Sequence, residues 1–496
     1  GPEGEIYVGK IAQEMRITNP SCTFLEFKRD MGTDRQYRAG NRSYRAEELS
    51  SFVLRRLKED AEHYLGEPVT EAVISVPAYF DDDKRCATRN AARLAGLKAE
   101  RLINEPSAVA LKHHGMSDVM ETFIVFDLGG GTLDVSLVEA FDNMVEIRAV
   151  AGDNYLGGKD FNEVIARAFY EKNGLSADQF SAGEQGIVLR EAERLKRMLS
   201  ESNEARRTVR LGDRDYVMEM TSQELVHRAA RLLGRMSEPI RKVLNDSRMS
   251  PEDADCVILT GGSSRMPVVR EYIKSICKEK TRVEPDDAPE ESIVTGVAMA
   301  AAIRERNGDL KDVILSDICP FSLGVELYDG TFSPIIERND TLPCSRTKTY
   351  YTYQDRQTAL EFQVYQGESL IAAENLFLGS VLIDGIPPAP RGKEGASATF
   401  LYDINGILDI RIENRGHTVH RVMLNRRMGL SDEELAARLS QLEKQSLHPS
   451  GKERYRLLTE RAKRLYMETG AQTRERIAWQ LRLFEEQLAT GSAKQI

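Results

Sequence analysis

Apolar and polar residues change their spacing several times along this chain, and the changes mark out its parts. The unbroken apolar run Phe123 to Phe126 predicts a buried strand. Directly after it, Leu133, Val135 and Leu137 alternate with Asp134 and Ser136, which predicts a second strand. Upstream, Ile6 to Gly9 predicts a strand entering a turn, with a helix to about Arg16. Leu49, Phe52, Val53 and Leu57 recur at helical spacing and predict one amphipathic helix from Ala46 to Tyr64. Ala72 to Val76 is a predicted strand stopped by Pro77, and a helix from about Asp82 to Leu94 ends before Gly96. Leu102-Ile103 begins a short strand, and Asn104-Glu105-Pro106 opens the next helix. Val145 to Val150 supplies a further strand, a helix starts near Asp160, and Glu184 to Ser202 is helical with Val188, Ala192, Leu195 and Leu199 on one face. Val257 to Thr260 is a strand that empties into glycines before a helix near Pro267. Alternation of this kind predicts an α/β domain.

After Ile303 the pattern changes. From Thr331 to about Leu424, short alternating segments are separated by turn signals such as Asn405-Gly406, which predicts an all-β sandwich. Ser431 with Glu434 forms a capping-box signature opening C-terminal helices that break near His448-Pro449. Trp479 on the last helix is expected in a core.

A length of 496 residues allows two or three domains. A net charge of −10 without a long basic run argues against a general nucleic-acid binder, and no apolar stretch approaches membrane-spanning length. Gly1 to Glu5 carries no signal-peptide pattern. The six cysteines lack C-x-x-C spacing, as expected of reduced thiols in a cytoplasmic protein. The seven histidines lack metal-ligand spacing, and His113 with His114 is expected to face a helix dipole.

Chemistry concentrates at the glycines. Between the two central strands lie Asp127, then Gly129, Gly130, Gly131 and Thr132. Glycine lets backbone N–H groups approach a phosphate, while a carboxylate and a hydroxyl suit a hydrated divalent metal beside it. An ordinary glycine hairpin with two solvated acids is the plainer alternative. Because strand rather than helix follows, this is neither a dinucleotide fingerprint nor a G-x-x-x-x-G-K-[ST] loop. Gly157 and Gly158 close a second glycine-rich loop before a helix, and Gly261-Gly262-Ser263 forms a third after a strand, a usual phosphate or sugar seat. Glu193, Lys196, Arg197 and Ser200 share one helix face, which spacing alone reads as a solvated face with an ion pair.

Val76-Pro-Ala-Tyr-Phe80, Ile103-Asn-Glu-Pro-Ser107, the Asp127 to Asp134 hairpin, Leu156-Gly-Gly158, Thr260-Gly-Gly-Ser263 and Pro320-Phe-Ser-Leu-Gly324 stand in the order and spacing of one family. Over nearly its whole length the chain resembles the heat-shock protein 70 chaperones of the DnaK-like kind, with the HscC-like branch as one expectation. The resemblance implies a multidomain protein. An α/β actin-like two-lobed ATPase domain (residues 1–308) precedes a linker (309–317), an all-β sandwich that grips extended peptide (318–428) and a C-terminal α-helical lid (429–496). It implies ATP or ADP with Mg2+ as cofactors. Asp127 would hold the metal through water, Thr132 and Gly129 to Gly131 the phosphates, and Glu105 the attacking water, with Asp134 ordering water near the metal. Glu193, Lys196, Arg197 and Ser200 would flank adenosine, and Gly261, Gly262, Ser263 and Arg265 would close the adenine side. Pro77 and Arg85 would relay between domains, together with Val313, Ile314, Leu315 and Asp317 of the linker. Val325, Leu327, Tyr328, Tyr350, Tyr353, Leu360 and Phe362 would line the peptide cleft, plain sandwich core being the alternative for them.

The implied partners are unfolded or extended client peptides, a J-domain co-chaperone and a nucleotide exchange factor, with neither nucleic acid nor membrane. Relative to the family, two departures are expected: a first phosphate hairpin missing before Gly1, and Gln13 at the position of a catalytic lysine. Both leave open an ATPase-inactive peptide holdase beside the ATP-driven chaperone. An actin-like small-molecule kinase would have no need of the β segment after residue 317.

Overall fold

The computed structural model describes residues 5–114, 120–141, 143–277, 281–305, 313–423, 453–469 and 471–490, with isolated positions between 434 and 442. The Ser431 capping box, the break at His448-Pro449, residues 309–312 of the expected linker and the expected end of a helix at Asn307 to Asp309 lie outside them.

The α/β part begins with α1 (Lys10–Thr18), the small hairpin β1 (Tyr37–Ala39) and β2 (Arg42–Tyr44), and α2 (Ala46–Leu65). The helix α2 starts where the Arg45 N–H donates to Glu48 Oε2 at 2.7 Å and stops at Gly66, whose φ of 75° suits glycine. Next come β3 (Glu71–Val76), α3 (Asp82–Leu94), β4 (Lys98–Asn104) and α4 (Glu105–His114); β3 and β4 form a two-stranded parallel sheet. Asp81 caps α3 by accepting from the Lys84 N–H at 3.0 Å.

A six-stranded sheet follows from β5 (Glu121–Leu128), β6 (Leu133–Phe141) and β7 (Met144–Asp153), an antiparallel run. It is extended by β10 (Cys256–Thr260) and β11 (Arg282–Pro285), parallel to β5 and to each other. Between β7 and β10 the chain builds α5 (Gly158–Lys172), α6 (Ala182–Met198), the hairpin β8 (Glu204–Leu211) and β9 (Arg214–Thr221), α7 (Ser222–Arg228) and α8 (Ala230–Ser247). α9 (Pro267–Ile276) joins β10 to β11, and α10 (Ser292–Arg304) follows. The sixth strand, β12 (Ile314–Ser316), lies parallel to β7 and gives the order β11-β10-β5-β6-β7-β12. The expected linker thus contributes an edge strand.

Alternation explains how this sheet is covered on both faces. Ile124, Phe126 and Leu128 enter the core under α5, α6 and α8, whereas Phe123 and Val125 enter the core under α4 and α10. A strand buried on both sides must read as a continuous apolar run, as Phe123 to Phe126 does.

The remaining strands pack as two four-stranded antiparallel sheets. One holds β13 (Leu323–Glu326), β14 (Phe332–Ile336), β16 (Leu360–Gln366) and β17 (Leu376–Ile383). The other holds β15 (Cys344–Tyr351), β18 (Gly395–Tyr402), β19 (Leu408–Asn414) and β20 (His417–Met423). Leu360, Phe362 and Val364 from the first sheet meet Ala398, Phe400, Ile410 and Ile412 from the second in a separate core. The sandwich is docked on the α/β part. Tyr79 packs on Phe321 with ring centroids 4.5 Å apart, the Asp82 N–H donates to Gln366 Oε1 at 2.9 Å, Arg338 pairs with Asp246 at 2.6 Å, and Arg89 donates to the Asn405 carbonyl.

Of the expected lid, the helix Glu453–Glu468 packs along α1 through Glu14 with Arg464, and reaches α6 through Glu468 with Arg190. It also packs against the helix Ala471–Thr490. Trp479 is 62% exposed, not in a core. This last helix also reaches the turn between β8 and β9, where Arg474 lies 3.7 Å from Asp213.

Candidate functional site

Four elements deliver charge to one point at the ends of β5 and β10. Asp127 is the penultimate residue of β5, Asp134 the second residue of β6 opposite it in the register, and Glu105 the first residue of α4; all three are buried. Facing them is Lys28, on the short 3-10 helix Phe27–Asp30, with Nζ 2.6 Å from Glu105 Oε1. Desolvation opposes the lysine's charge, but Glu105, aided by Asp134 and Asp127, outweighs it and holds the ammonium above its ordinary value. The carboxylates show the converse. Burial, then the Glu105 charge, pushes Asp134 up to about 7, and the same two causes with Asp134 itself push Asp127 well above the usual carboxylate range. Three acids against one lysine leave uncompensated negative charge in a buried place, and oxygen ligands of this kind suit a hard divalent cation such as Mg2+.

The expectation that Gln13 stands at the family's lysine position concerns a different place on the chain. Gln13 is exposed on α1, and the positive charge comes from Lys28. Next to Lys28, Arg29 is buried; its Nε donates to the Gly131 carbonyl at 2.7 Å and its Nη2 pairs with Asp160 at 2.8 Å. The sequence reading assigned neither residue a role. Their only signal was a Lys-Arg pair in an aromatic stretch.

The glycine loops interlock. The Gly158 and Lys159 N–H groups donate to the carbonyls of Gly129 and Gly130, each at 3.0 Å. A Cβ on Gly157 would stand 2.5 Å from the Gly131 nitrogen, and one on Gly158 only 2.2 Å from Ser263 Oγ. Gly261, with φ of 79°, would put a Cβ 2.4 Å from Asp127 Oδ1. Gly130 is exposed and meets nothing, so its face of the hairpin is free. Thr132 lies half-buried beside it. The Gly129 N–H closes the turn by donating to the Thr132 carbonyl at 3.0 Å, and the small residues leave room for an anion to approach the hairpin at Gly130.

On α6, Lys196 donates to the Gly158 carbonyl at 2.8 Å, and burial lowers its ammonium to about 8. Lys196 and Ser200 line a cavity of about 300 Å3 with Met266 and Pro267. Glu193 and Arg197 instead pair with each other at 2.7 Å, with Arg197 77% exposed, as the plain helical spacing predicts. Ser200 falls beyond the end of α6 at Met198, short of the expected helix end at Ser202. Ser263 is buried; Arg265 is half exposed and pairs with Glu290 at 2.7 Å, near Gly262.

Two lines run from this centre toward the sandwich. The residue before Glu105 is Asn104. Its Oδ1 accepts from Arg85 Nη2 at 2.6 Å and its Nδ2 donates to Asp317 Oδ2 at 2.8 Å, where Ser107 Oγ also donates at 3.0 Å. Arg85 is held by the Phe80 carbonyl at 3.0 Å, just past buried Pro77. The second line starts at Asp134, which accepts from the Tyr79 N–H at 3.3 Å; Tyr79 is the residue packed on Phe321. In β12 and just before it, Val313 is buried, Leu315 is partly buried against the sheet core, and Ile314 is 60% exposed.

The expected cleft residues divide. Val325, Leu360 and Phe362 are buried in the sandwich core, with Tyr350 edge-on to Phe362 at 5.7 Å. Leu327 is half-buried. Tyr328 and Tyr353 are exposed and stack at 5.9 Å with 16° between their planes.

A carboxylate and glycine centre in an α/β part, wired to a docked β-sandwich, defines a two-part protein whose halves share one network. The Hsp70 protein family model matches residues 1–480, and the chain belongs to the Hsp70 family. Its members are chaperones and ATPases. No helix among the described residues is long and apolar enough to cross a membrane.

Proposed function

We propose that the chain is an ATP-dependent chaperone, binding extended apolar peptide segments and exchanging them as nucleotide binds and is hydrolysed. The observation that carries this reading is the adjacency of Asn104 and Glu105. One side chain faces the carboxylate centre, the other holds Asp317 at the junction to the sandwich. Any movement of the start of α4 is shared by both, which is the physical requirement for coupling two sites.

Bound Mg-ATP supplies the phosphoryl bond and a divalent charge that cancels the repulsion among the carboxylates. Asp127, through water, and Asp134 hold the ion's surroundings. Gly129 to Gly131 and Thr132 hold the phosphates, the Gly129 N–H bracing the turn on the Thr132 carbonyl, with Gly157 and Gly158 keeping the loops closed. Glu105 orients water for attack, and Lys28 balances charge that builds on the phosphoryl group. Lys196, Ser200, Gly261, Gly262, Ser263 and Arg265 take the nucleoside end, with Glu193 and Arg197 at its mouth. Pro77, Arg85 and Asp317 pass the state of the centre to Val313, Ile314 and Leu315. Peptide enters where Tyr328 and Tyr353 part, against Leu327, Tyr350 and the side chains of Val325, Leu360 and Phe362 behind them. A J-domain co-chaperone and an exchange factor are the implied protein partners.

The deciding measurement is single-turnover ATP hydrolysis with and without an extended peptide bearing a central leucine, paired with peptide release on adding ATP. Stimulated turnover and accelerated release are expected. Peptide binding that is indifferent to ATP, with turnover indifferent to peptide, would overturn the reading.

A further inference from the structure

At the opposite end of the same strands lies a cluster that the nucleotide chemistry does not use. Cys256 is far along the chain from His113 and Glu121, but the ligand atoms of all three lie within 4.8 Å of one another. His113 Nε2 is 3.1 Å from Glu121 Oε2, and Cys256 Sγ is 3.5 Å from Glu121 Oε1. Ligands bonded tetrahedrally to zinc stand about 3.3–3.8 Å from each other, so little movement separates this arrangement from a bound one. The three are held by packing. His113 lies edge-on to Phe123 at 4.8 Å, Cys256 is wholly buried, and Arg282 grips Glu121 Oε1 at 2.7 Å while pairing with Glu284 at 3.1 Å. Gripped this way, the carboxylate keeps Oε2 turned to the imidazole. The histidine side chain is 31% exposed, which gives an ion a way in and leaves a position for water.

We infer that His113, Glu121 and Cys256 form a site for a borderline-soft divalent metal of the zinc type. One imidazole, one carboxylate and one thiolate select such an ion over Mg2+, which wants an all-oxygen octahedron. The thiol's burial beside Glu121 disfavours the bare thiolate, and a bound cation reverses that balance. The site would clip three elements that each carry part of the nucleotide site: α4 with Glu105, β5 with Asp127, and β10 leading into Gly261. It goes beyond the chaperone reading and stands without it.

Titration of the full chain with Co2+ tests the site, because a cobalt-bound thiolate absorbs in the near ultraviolet by charge transfer. One equivalent of Co2+ should produce the band and Zn2+ should bleach it. Cys256→Ser should lose the band. His113→Ala, at a partly exposed position where the fold is safe, should weaken binding by about tenfold or more. No band in the parent chain, or the same band and affinity in Cys256→Ser or His113→Ala, would overturn the assignment and point to one of the other five cysteines or to no site.

Discussion

Replacing Lys28 by methionine separates the lysine's chemical role from its structural one. The methionine keeps the stem's apolar contacts and removes the charge. The ion pair with Glu105 is short, at 2.6 Å, but the lysine side chain is 51% exposed, so water screens it. Solvated pairs of this kind contribute about 1 kcal/mol or less to stability, which for a chain of this size lowers the melting temperature by about 2 °C at most. The same charge aimed at a developing transition-state charge in a closed, occupied site is worth about a hundredfold in rate. Single-turnover hydrolysis at saturating Mg-ATP should therefore fall about a hundredfold while the melting temperature hardly moves. Removing the cation also leaves three acids facing one another. Asp134, already held at about 7, should rise further, and the acid limb of the pH–rate profile should move to higher pH. Gln13→Ala should change neither rate nor profile. Unaltered hydrolysis in Lys28→Met, or an equal loss in Gln13→Ala, would refute the assignment of Lys28.

Gly158→Ala drives a methyl into Ser263 Oγ and Lys196 Nζ, so chemical denaturation should report a loss of about 1–3 kcal/mol, with weaker nucleotide binding in calorimetry. Tyr353→Ala removes one ring of an exposed stack; stability should change by less than about 1 kcal/mol while fluorescent peptide dissociates about three- to tenfold faster, and an unchanged dissociation rate would discount a role for the two rings in holding peptide. Asp82 sits at the docking contact with its carboxyl pushed up to about 7, chiefly by burial. Its value when docked exceeds the ordinary one, so docking is favoured while the group is protonated. Docking should weaken as pH rises from about 4 to about 7 and level off above that. Fluorescence transfer between labels on the two parts should show this slope and its loss in Asp82→Asn; a slope of opposite sign would refute it.

The elements with a strong period were legible from residues alone. Phe123 to Phe126 had to be a strand covered on both faces, and α2 and α3 ended close to where their caps and glycines stand. The β8–β9 hairpin was not legible, because Arg206, Arg207 and Arg210 break the apolar alternation of a two-stranded element that faces water on one side. Within the site, Asp127 and the glycines announced themselves through local spacing. Lys28 did not, since its meaning depends on Glu105, which only tertiary folding brings to it. Arg85 and Asp317 were both named as coupling residues through family likeness; the Asn104 that joins them appears once side chains are placed. His113 and Cys256 had no spacing to betray them, because the sheet joins β5 to β10 across more than a hundred residues of intervening chain.

The strand β12 is only three residues long, and it covers the border of β7 at Met144 to Glu146. A sheet border is a row of unpaired amides and carbonyls that any extended chain can join. The residues connecting the two parts therefore also act as a stopper. Whenever β12 lifts away, the α/β part uncovers an adhesive ribbon and the segment itself becomes a loose strand in search of one. Release of the sandwich thus carries a built-in hazard of misjoining between molecules, one that grows with concentration and that a short, weakly apolar plug flanked by Asp317 is suited to keep brief.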